Sequence, residues 1–107
     1  MDDKLIELVK GLINSYEEMY NLCYPEVERI IKGRITDVNL IEHTLDNILE
    51  IYTEKGFYLF IKLLLYYRTV NIDNAYDYLE ILKNDREEEY HEFIKKYQSI
   101  KKPFKNN

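Results

Sequence analysis

The chain contains 107 residues, of which 46% are hydrophobic and 33% are charged. This balance predicts one soluble globular domain with a single core and argues against a disordered chain. The formal net charge is −5, and an acidic surface repels the phosphate backbone of nucleic acids. We therefore expect no direct nucleic-acid partner.

Residues that favour turns are scarce, since the chain has only three glycines and two prolines. No alternation of apolar and polar residues continues long enough to indicate a strand. The sequence therefore predicts an all-α fold, in the form of a single compact bundle of five or six helices. This domain is predicted to occupy residues 1–102, and residues 103–107 are predicted to form a flexible tail.

The first predicted helix begins at Asp2 or Asp3, where a carboxylate can accept hydrogen bonds from free amides. Its apolar residues follow spacings of four and three, and they are Leu5, Val9, Leu12, Tyr16, Met19 and Cys23. With flanking apolar residues the arc covers about 200°, so we expect this helix to pack against more than one neighbour. Pro25 is predicted to end it and to open a short second helix that stops at Gly33.

The third predicted helix has Thr36 or Asp37 as its cap and ends at Gly56. Its expected core face consists of Val38, Ile41, Leu45, Ile48, Leu49 and Tyr52. The fourth helix, at about residues 57–68, is apolar on nearly every side. A helix with this pattern is typically surrounded by others, so we expect it at the centre of the bundle.

Residues 69–73 are predicted to form a turn that leads into a fifth helix. The residues expected to be buried on that helix are Ile72, Ala75, Leu79 and Leu82. Asp85 and Glu88 fit a capping box that opens a sixth helix, although the fifth and sixth could also form one bent helix. The inward residues of the sixth are predicted to be Tyr90, Phe93, Ile94, Tyr97 and Ile100.

Two pairs of metal-ligating residues occur at helical spacing: His43 with Asp46, and Glu88 with His91. Similar pairs hold metal ions in some helical bundles, but only when they point into the core. Helical geometry places these pairs opposite the predicted core faces. The sequence also lacks a glycine-rich phosphate loop and zinc-ligand spacing. We therefore expect no metal, cofactor or catalytic activity, and a metal-binding helical-bundle enzyme is the weaker alternative.

Four acidic residues, Glu42, Asp46, Glu50 and Glu54, follow one another at intervals of four. On one continuous helix they would form a negative ridge, although like charges at this spacing weaken an isolated helix. Such a ridge is often only a solvated surface. It could alternatively contact a basic protein, as an acidic mimic of nucleic acid that inhibits its target.

The predicted central helix has one polar seam, formed by Lys55, Tyr58, Lys62, Tyr66 and Thr69. Lysine stems and tyrosine rings can cover a core while their polar ends stay in water. Tyrosine is also enriched where proteins bind one another, and the chain has eleven tyrosines. We favour a small acidic protein-interaction or regulatory module that uses this seam or a groove beside it. The first predicted helix could also pair with its own copy in a homodimer.

The only cysteine, Cys23, cannot form a disulfide within the chain, and it lies in register with the apolar residues of the first helix. We therefore interpret it as a small core residue. The longest uncharged apolar run, residues 57–61, is far shorter than the roughly 20 residues of a membrane span. We expect a cytoplasmic protein that does not bind membranes.

The middle of the chain contains a further set of mostly hydrophobic positions. They are Ile41, Glu42, Leu45, Asp46, Leu49, Leu59, Phe60, Lys62, Leu63, Tyr66, Tyr67, Ile72, Asp73, Ala75 and Tyr78. At these positions the chain resembles a group of small helical proteins carried by bacterial conjugative elements and phages. The resemblance implies an accessory protein of a mobile element that acts by binding host or element proteins. It assigns no activity to any residue.

Overall fold

The computed structural model describes the backbone of residues 2–105 and the side chains of residues 2–96. The described residues form five helices and no strand: α1 (Asp3–Lys32), α2 (Val38–Leu49), α3 (Glu54–Val70), α4 (Ile72–Asp85) and α5 (Glu87–Lys105). Helix α3 packs against α1, α2 and α4, while α5 packs against α4. The predicted all-α bundle with a central apolar helix is confirmed.

The core of the bundle forms around α3. Its side chains at Phe57, Phe60, Leu63 and Tyr67 are buried and meet apolar residues of the other helices. The residues contributed by α1, α2 and α4 are Cys23, Val27, Ile30, Ile41, Leu45, Ile48, Ala75 and Leu82. Because apolar burial is the main favourable term in folding, the position of α3 determines which faces of the other helices are covered.

Side chains cap the start of four helices. The carboxylates of Asp2 and Asp37 accept hydrogen bonds from backbone amides at 2.9 and 3.2 Å, at the starts of α1 and α2. Thr53 and Asn71 act in the same way for α3 and α4, at 3.1 and 3.0 Å. Each such bond satisfies an amide that has no partner within its own helix. The predicted caps at Asp2 and Asp37 are confirmed.

The predicted break at Pro25 is wrong, because α1 continues through this residue as one helix of 30 residues. A proline inside a helix removes one hydrogen bond and costs about 3 kcal/mol. The cost is offset because Cys23, Val27 and Ile30, on both sides of the proline, are buried together against the bundle. The helix then ends at Gly33 as predicted, where the glycine N–H donates to the Arg29 carbonyl at 2.9 Å.

Gly56 does not end a helix, contrary to the prediction, but lies in the first turn of α3. A Cβ atom at this position would lie 2.7 Å from Cγ2 and 2.8 Å from Cβ of Ile51. The glycine therefore allows the α2–α3 loop to approach α3 closely. The loop also carries Tyr52, which is exposed rather than part of the core face. Ile72 is likewise exposed, because it is the first residue of α4.

Helices α4 and α5 are separate, and the break between them falls at Arg86, one residue after the predicted Asp85. The Arg86 amide donates to the Leu82 carbonyl at 2.8 Å and closes α4. The expected inward residues Tyr90, Phe93 and Ile94 are half-buried, whereas Tyr97 and Ile100 lie outside the described side chains. The α5 backbone includes residues 103–105 of the predicted tail, and residues 106–107 lie outside the described part.

The first half of α1 extends beyond the rest of the bundle. A helix of 30 residues is about 45 Å long, and the longest dimension of the structure is 55 Å. The first buried residue of α1 is Cys23. The expectation that α1 packs against more than one neighbour therefore holds for its second half, which contacts α2 and α3.

Candidate interaction surface

A row of large apolar side chains is exposed on the first half of α1. Leu5 is 50% exposed and Leu12 is 53% exposed. Three further residues of this row are similarly exposed: Leu8, Val9 and Ile13. At 100° per residue, Leu5, Val9 and Leu12 point in the same direction as Cys23, Val27 and Ile30 further along α1. The face that is buried in the second half of the helix thus continues uncovered into the first half. We call these five residues the α1 stripe.

A groove between α1 and the beginning of α3 adjoins the α1 stripe. It consists of two depressions of about 320 and 350 Å³. Ile13, which belongs to the stripe, lines the first depression, and Tyr58 lines the second. Tyr20 and Lys55 line both. Glu17 lines the first depression and Glu54 the second. The stripe and the groove therefore form one continuous surface that combines aliphatic side chains with tyrosine, lysine and glutamate.

Two lysines of α3 lie over tyrosine rings of α1 in the groove. The Lys55 ammonium is 5.7 Å from the centre of the Tyr20 ring, and the Lys62 ammonium is 5.6 Å from that of Tyr24. These distances allow an attraction between the cation and the face of the ring. The tyrosines of α1 were not predicted as part of a site, although Tyr16, Tyr20 and Tyr24 at intervals of four share one side of the helix.

The two lysines differ in their carboxylate contacts. Lys62 forms an ion pair with Glu28, which also contacts Lys32 at 3.2 Å. The hydrogen bond from Lys62 lowers the pKa of the Glu28 carboxyl and raises the pKa of the Lys62 ammonium. Among the described residues, no carboxylate lies within 4.0 Å of the Lys55 ammonium. Lys55 is therefore the cation of the groove that can pair with an incoming carboxylate.

The predicted polar seam of α3 is divided between two roles. Lys55, Tyr58 and Lys62 line the groove. The Tyr66 hydroxyl instead donates to the Ile35 carbonyl at 2.7 Å and holds the α1–α2 loop against α3. Tyr58 is exposed, with its ring edge-on to those of Phe57 and Phe93. The part of the seam that faces solvent thus ends before Tyr66.

The four acids do not form the continuous helical ridge that their spacing predicted. Helix α2 ends at Leu49, so Glu50 is its C-cap and Glu54 is the first residue of the next helix. Asp46 accepts a hydrogen bond from the Tyr78 hydroxyl at 2.8 Å. Glu42 is also engaged within the protein, and of the four acids only Glu50 and Glu54 have exposed side chains that form no hydrogen bond or ion pair to a described residue. The helix stops because Ile51 turns into the core.

Glu42 instead joins a partly buried polar cluster between α2, α3 and α4. Its carboxylate accepts hydrogen bonds from the Tyr67 hydroxyl at 2.5 Å and from the Asn74 amide at 3.1 Å. Burial and the bond to Glu42 raise the pKa of Tyr67 to about 12. Burial and the bond to Asp46 likewise raise the pKa of Tyr78. Both phenols therefore stay protonated at neutral pH and serve as hydrogen-bond donors that join the three helices.

Asp46, which accepts from the Tyr78 hydroxyl, is the one residue considered for metal binding that takes part in these hydrogen bonds. His43, Glu88 and His91 are exposed, as the helical geometry predicted. Within residues 2–96 no group of three or more potential ligands is placed to hold a metal ion. Cys23 is buried as predicted. Burial, together with the charge of Glu26, raises the pKa of its thiol and keeps it in the less reactive protonated form.

Comparison of the chain with protein families, with curated proteins and with solved structures finds no match. In the part of the chain that the structure describes, no helix is long and apolar enough to cross a membrane. Inferences about function therefore depend on the surface formed by the α1 stripe and the adjoining groove.

Proposed function

We propose that this protein is a non-enzymatic interaction module of the cytoplasm that binds another protein through the α1 stripe and the groove beside it. The observation that carries the proposal is the exposure of five large apolar side chains in a row on one helix. Single exposed apolar residues are common on soluble proteins, but contiguous apolar patches mark interaction sites. Burial of such a patch in a complex releases it from water.

The groove supports the same proposal because its composition is that of a binding surface. Tyr20, Tyr24 and Tyr58 offer large rings with few rotatable bonds, and tyrosine is enriched at the centres of interfaces. Lys55 adds a positive charge at the middle of the surface. A helical partner could place its apolar side chains along the α1 stripe and a carboxylate beside Lys55. A role as accessory protein of a mobile element, implied by the resemblance, is compatible with such binding.

The acidic-mimic alternative has less support. Glu42 and Asp46 are occupied by hydrogen bonds within the protein, so a basic partner would have to compete for them. A metal-binding enzyme has no specific observation in its favour, because the His and Glu pairs are solvent-exposed. A catalytic site also requires converging polar groups in a pocket, and the groove is two shallow depressions along which tyrosines, lysines, Glu17 and Glu54 are spread.

The proposal can be tested by recovery of complexes after cross-linking in cells that produce the protein naturally. The test variant is Leu12→Asp, and the matched control is Leu65→Asp, because both leucines are 53% exposed and Leu65 lies on α3. We expect the first substitution to abolish recovery of the partner and the second to leave it unchanged. Equal recovery with both variants would contradict an interaction through the α1 stripe.

A second pair of variants separates this proposal from the acidic mimic. Glu50→Gln and Glu50→Lys neutralise and reverse the exposed acid of the predicted ridge whose side chain has no hydrogen bond or ion pair to a described residue and which, unlike Glu54, does not line the groove. We expect the complex to survive both substitutions and to resist added salt, because apolar contacts are not screened. A complex that these substitutions or a salt step disrupts would favour the acidic mimic. Stoichiometric metal in protein purified without added metal would favour the enzyme.

A further inference from the structure

The period of the α1 stripe shows which kind of structure is needed to cover it. Between Leu5 and Cys23 the apolar residues follow intervals of 4, 3, 4, 3 and 4, with an average of 3.6. A stripe with the period of the α-helix itself runs straight along one face, and such a face packs against neighbouring helices. In the second half of α1 the same face is covered by helices α2 and α3. The natural cover for the first half is therefore another helix with a matching seam.

We infer that this cover is a second copy of the protein, and that two α1 helices pair antiparallel about a two-fold axis near residues 10 and 11. This inference rests on the proposed function, because it names the partner of the same surface. The first half of α1 itself has the required apolar seam, which is exposed and of the same length. In a two-fold pair each copy covers the seam of the other, so the contact closes at two subunits.

The position of the bundle makes the antiparallel direction the favourable one. Parallel α1 helices would bring the two bundles to the same end, where α2 and α3 already cover the apolar face from Cys23 onward. Antiparallel helices place the bundles at opposite ends. A seam from Leu5 to Tyr16 extends for about 17 Å. In this arrangement Leu5 of one copy faces Tyr16 of the other, and Val9 faces Leu12.

Charge at the two ends of the seam fits the same arrangement. The start of α1 carries the carboxylates of Asp2 and Asp3. In the antiparallel pair Asp2 reaches the level of Met19, next to Tyr20, on the other copy and lies on the side of the helix that faces the groove, whereas Asp3 points away from the seam. Lys55 stands over the Tyr20 ring there and has no described carboxylate partner. The Asp2 carboxylate of each α1 thus comes close to Lys55 of the opposite groove, where the lining carboxylates Glu17 and Glu54 offset part of the attraction.

The width of the apolar arc is also explained by this pairing. A simple two-stranded contact needs a narrow seam with charged residues on both sides, but Ile13 and Leu8 flank the seam of α1. Two-fold pairing gives these flanking residues a second contact, because the bundle of the other copy lies beside its α1. Tyr52 in the α2–α3 loop is exposed and packs its ring 6.2 Å from that of Tyr16. It is placed to contact the start of the other α1.

Sedimentation equilibrium of the full chain tests the inference. We expect a mass of twice 13.1 kDa at about 100 μM protein, with a dissociation constant below that concentration. Leu12→Asp should weaken dimerisation about 100-fold, because the substitution occurs twice in a two-fold contact and each loss is worth about tenfold. Leu65→Asp, at an equally exposed leucine, should leave the dimer unchanged. A monomer at every concentration overturns the inference.

The direction of pairing is tested by mixing Leu8→Cys with Ser15→Cys under mild oxidation. Positions 8 and 15 lie on the same edge of the seam, so an antiparallel pair brings one next to the other. Cys23 is buried and does not interfere. We expect the mixed disulfide to form preferentially, and its absence in a mixture that still dimerises overturns the antiparallel arrangement.

The effect of salt on the dimer and the recovery of partner proteins from cells distinguish the homodimer from binding of a different protein. Two copies with a net charge of −5 each repel one another, so added salt should not dissociate the dimer. The wild-type protein could be monomeric while Leu12→Asp abolishes the recovery of a different protein from cells. In that case the homodimer is wrong and the proposed function stands. If neither dimer nor complex depends on Leu12, both are wrong.

Discussion

Replacement of Arg86 by methionine should destabilise the fold more than any other change of a single charged residue on the described chain. The guanidinium is buried, and it donates to the carbonyls of Ile51 and Thr53 at 3.1 Å each. It also forms a bidentate ion pair with the Glu89 carboxylate, with N–O distances of 2.6 and 2.8 Å. Arg86 thereby joins the α4–α5 junction to the α2–α3 loop, and its face covers the Tyr52 ring at 5.0 Å.

The size of the effect follows from these contacts. A hydrogen bond from a charged donor contributes about 1.5–3 kcal/mol. The carbonyls of Ile51 and Thr53 each retain one backbone donor, from Thr53 and Phe57 respectively, so the lower value applies to both. The contact with Glu89 adds little, because that carboxylate is 41% exposed. We therefore expect a loss of about 3 kcal/mol, against a total stability of about 5–15 kcal/mol.

Urea unfolding followed by circular dichroism measures this loss, which should lower the midpoint without changing the slope. Arg68→Met is the matched control, because Arg68 is exposed at the end of α3 and should cost less than about 1 kcal/mol. Arg86→Lys keeps the charge but lacks the planar guanidinium that donates to several acceptors at once. We therefore expect Arg86→Lys to be nearly as destabilising as Arg86→Met. If Arg86→Met is no more destabilising than Arg68→Met, the junction does not depend on the guanidinium.

Three further predictions concern the core. Gly56→Ala should destabilise the protein by more than about 1 kcal/mol, because the new methyl group meets Ile51. Gly11→Ala, with open space around it, should instead stabilise α1 by about 0.5–1 kcal/mol. If the two substitutions shift the urea midpoint in the same direction, the close contact at Gly56 is refuted. Leu63→Asp should abolish cooperative unfolding, since it buries an unpaired charge, and Leu65→Asp should melt like the wild type. The raised pKa of Tyr67, about 12 against about 10 in the unfolded chain, stabilises the fold fully below pH 10, and this contribution is lost as the pH rises to about 12. The urea midpoint should therefore fall less steeply over this range in Tyr67→Phe than in the wild type, and equal slopes would contradict the assignment.

The helices of this protein could be predicted from the sequence because the spacing of apolar residues is a local pattern. The central position of α3 followed from its apolar residues on nearly every side, and the caps at Asp2 and Asp37 followed from residue type. The errors occurred where a distant contact overrides local preference. Pro25 stays within α1 because both flanks of it are buried by other helices. Gly56 marks a close approach between a loop and a helix, which its neighbours in sequence do not reveal.

The candidate surface was predictable only in part for the same reason. The seam of α3 identified Lys55, Tyr58 and Lys62, but the α1 side of the groove depends on how the two helices cross. The acidic spacing at Glu42 and Asp46 suggested a free ridge. It could not show that phenols 25 and 32 residues away would donate to these carboxylates. The exposure of the α1 stripe could not be predicted either, because the sequence pattern of an apolar helix face is the same whether or not other helices bury it.

Amide hydrogen exchange of residues 5–13 tests the central claim most directly. An isolated helical segment of this length is only marginally stable in water, so its amides exchange rapidly unless a partner covers the α1 stripe. We predict that their protection in the purified wild-type protein rises with protein concentration, while that of the α3 core around Leu63 does not change. Rapid exchange of residues 5–13 at every concentration, or protection that is independent of concentration, would contradict the pairing of two copies through the α1 stripe.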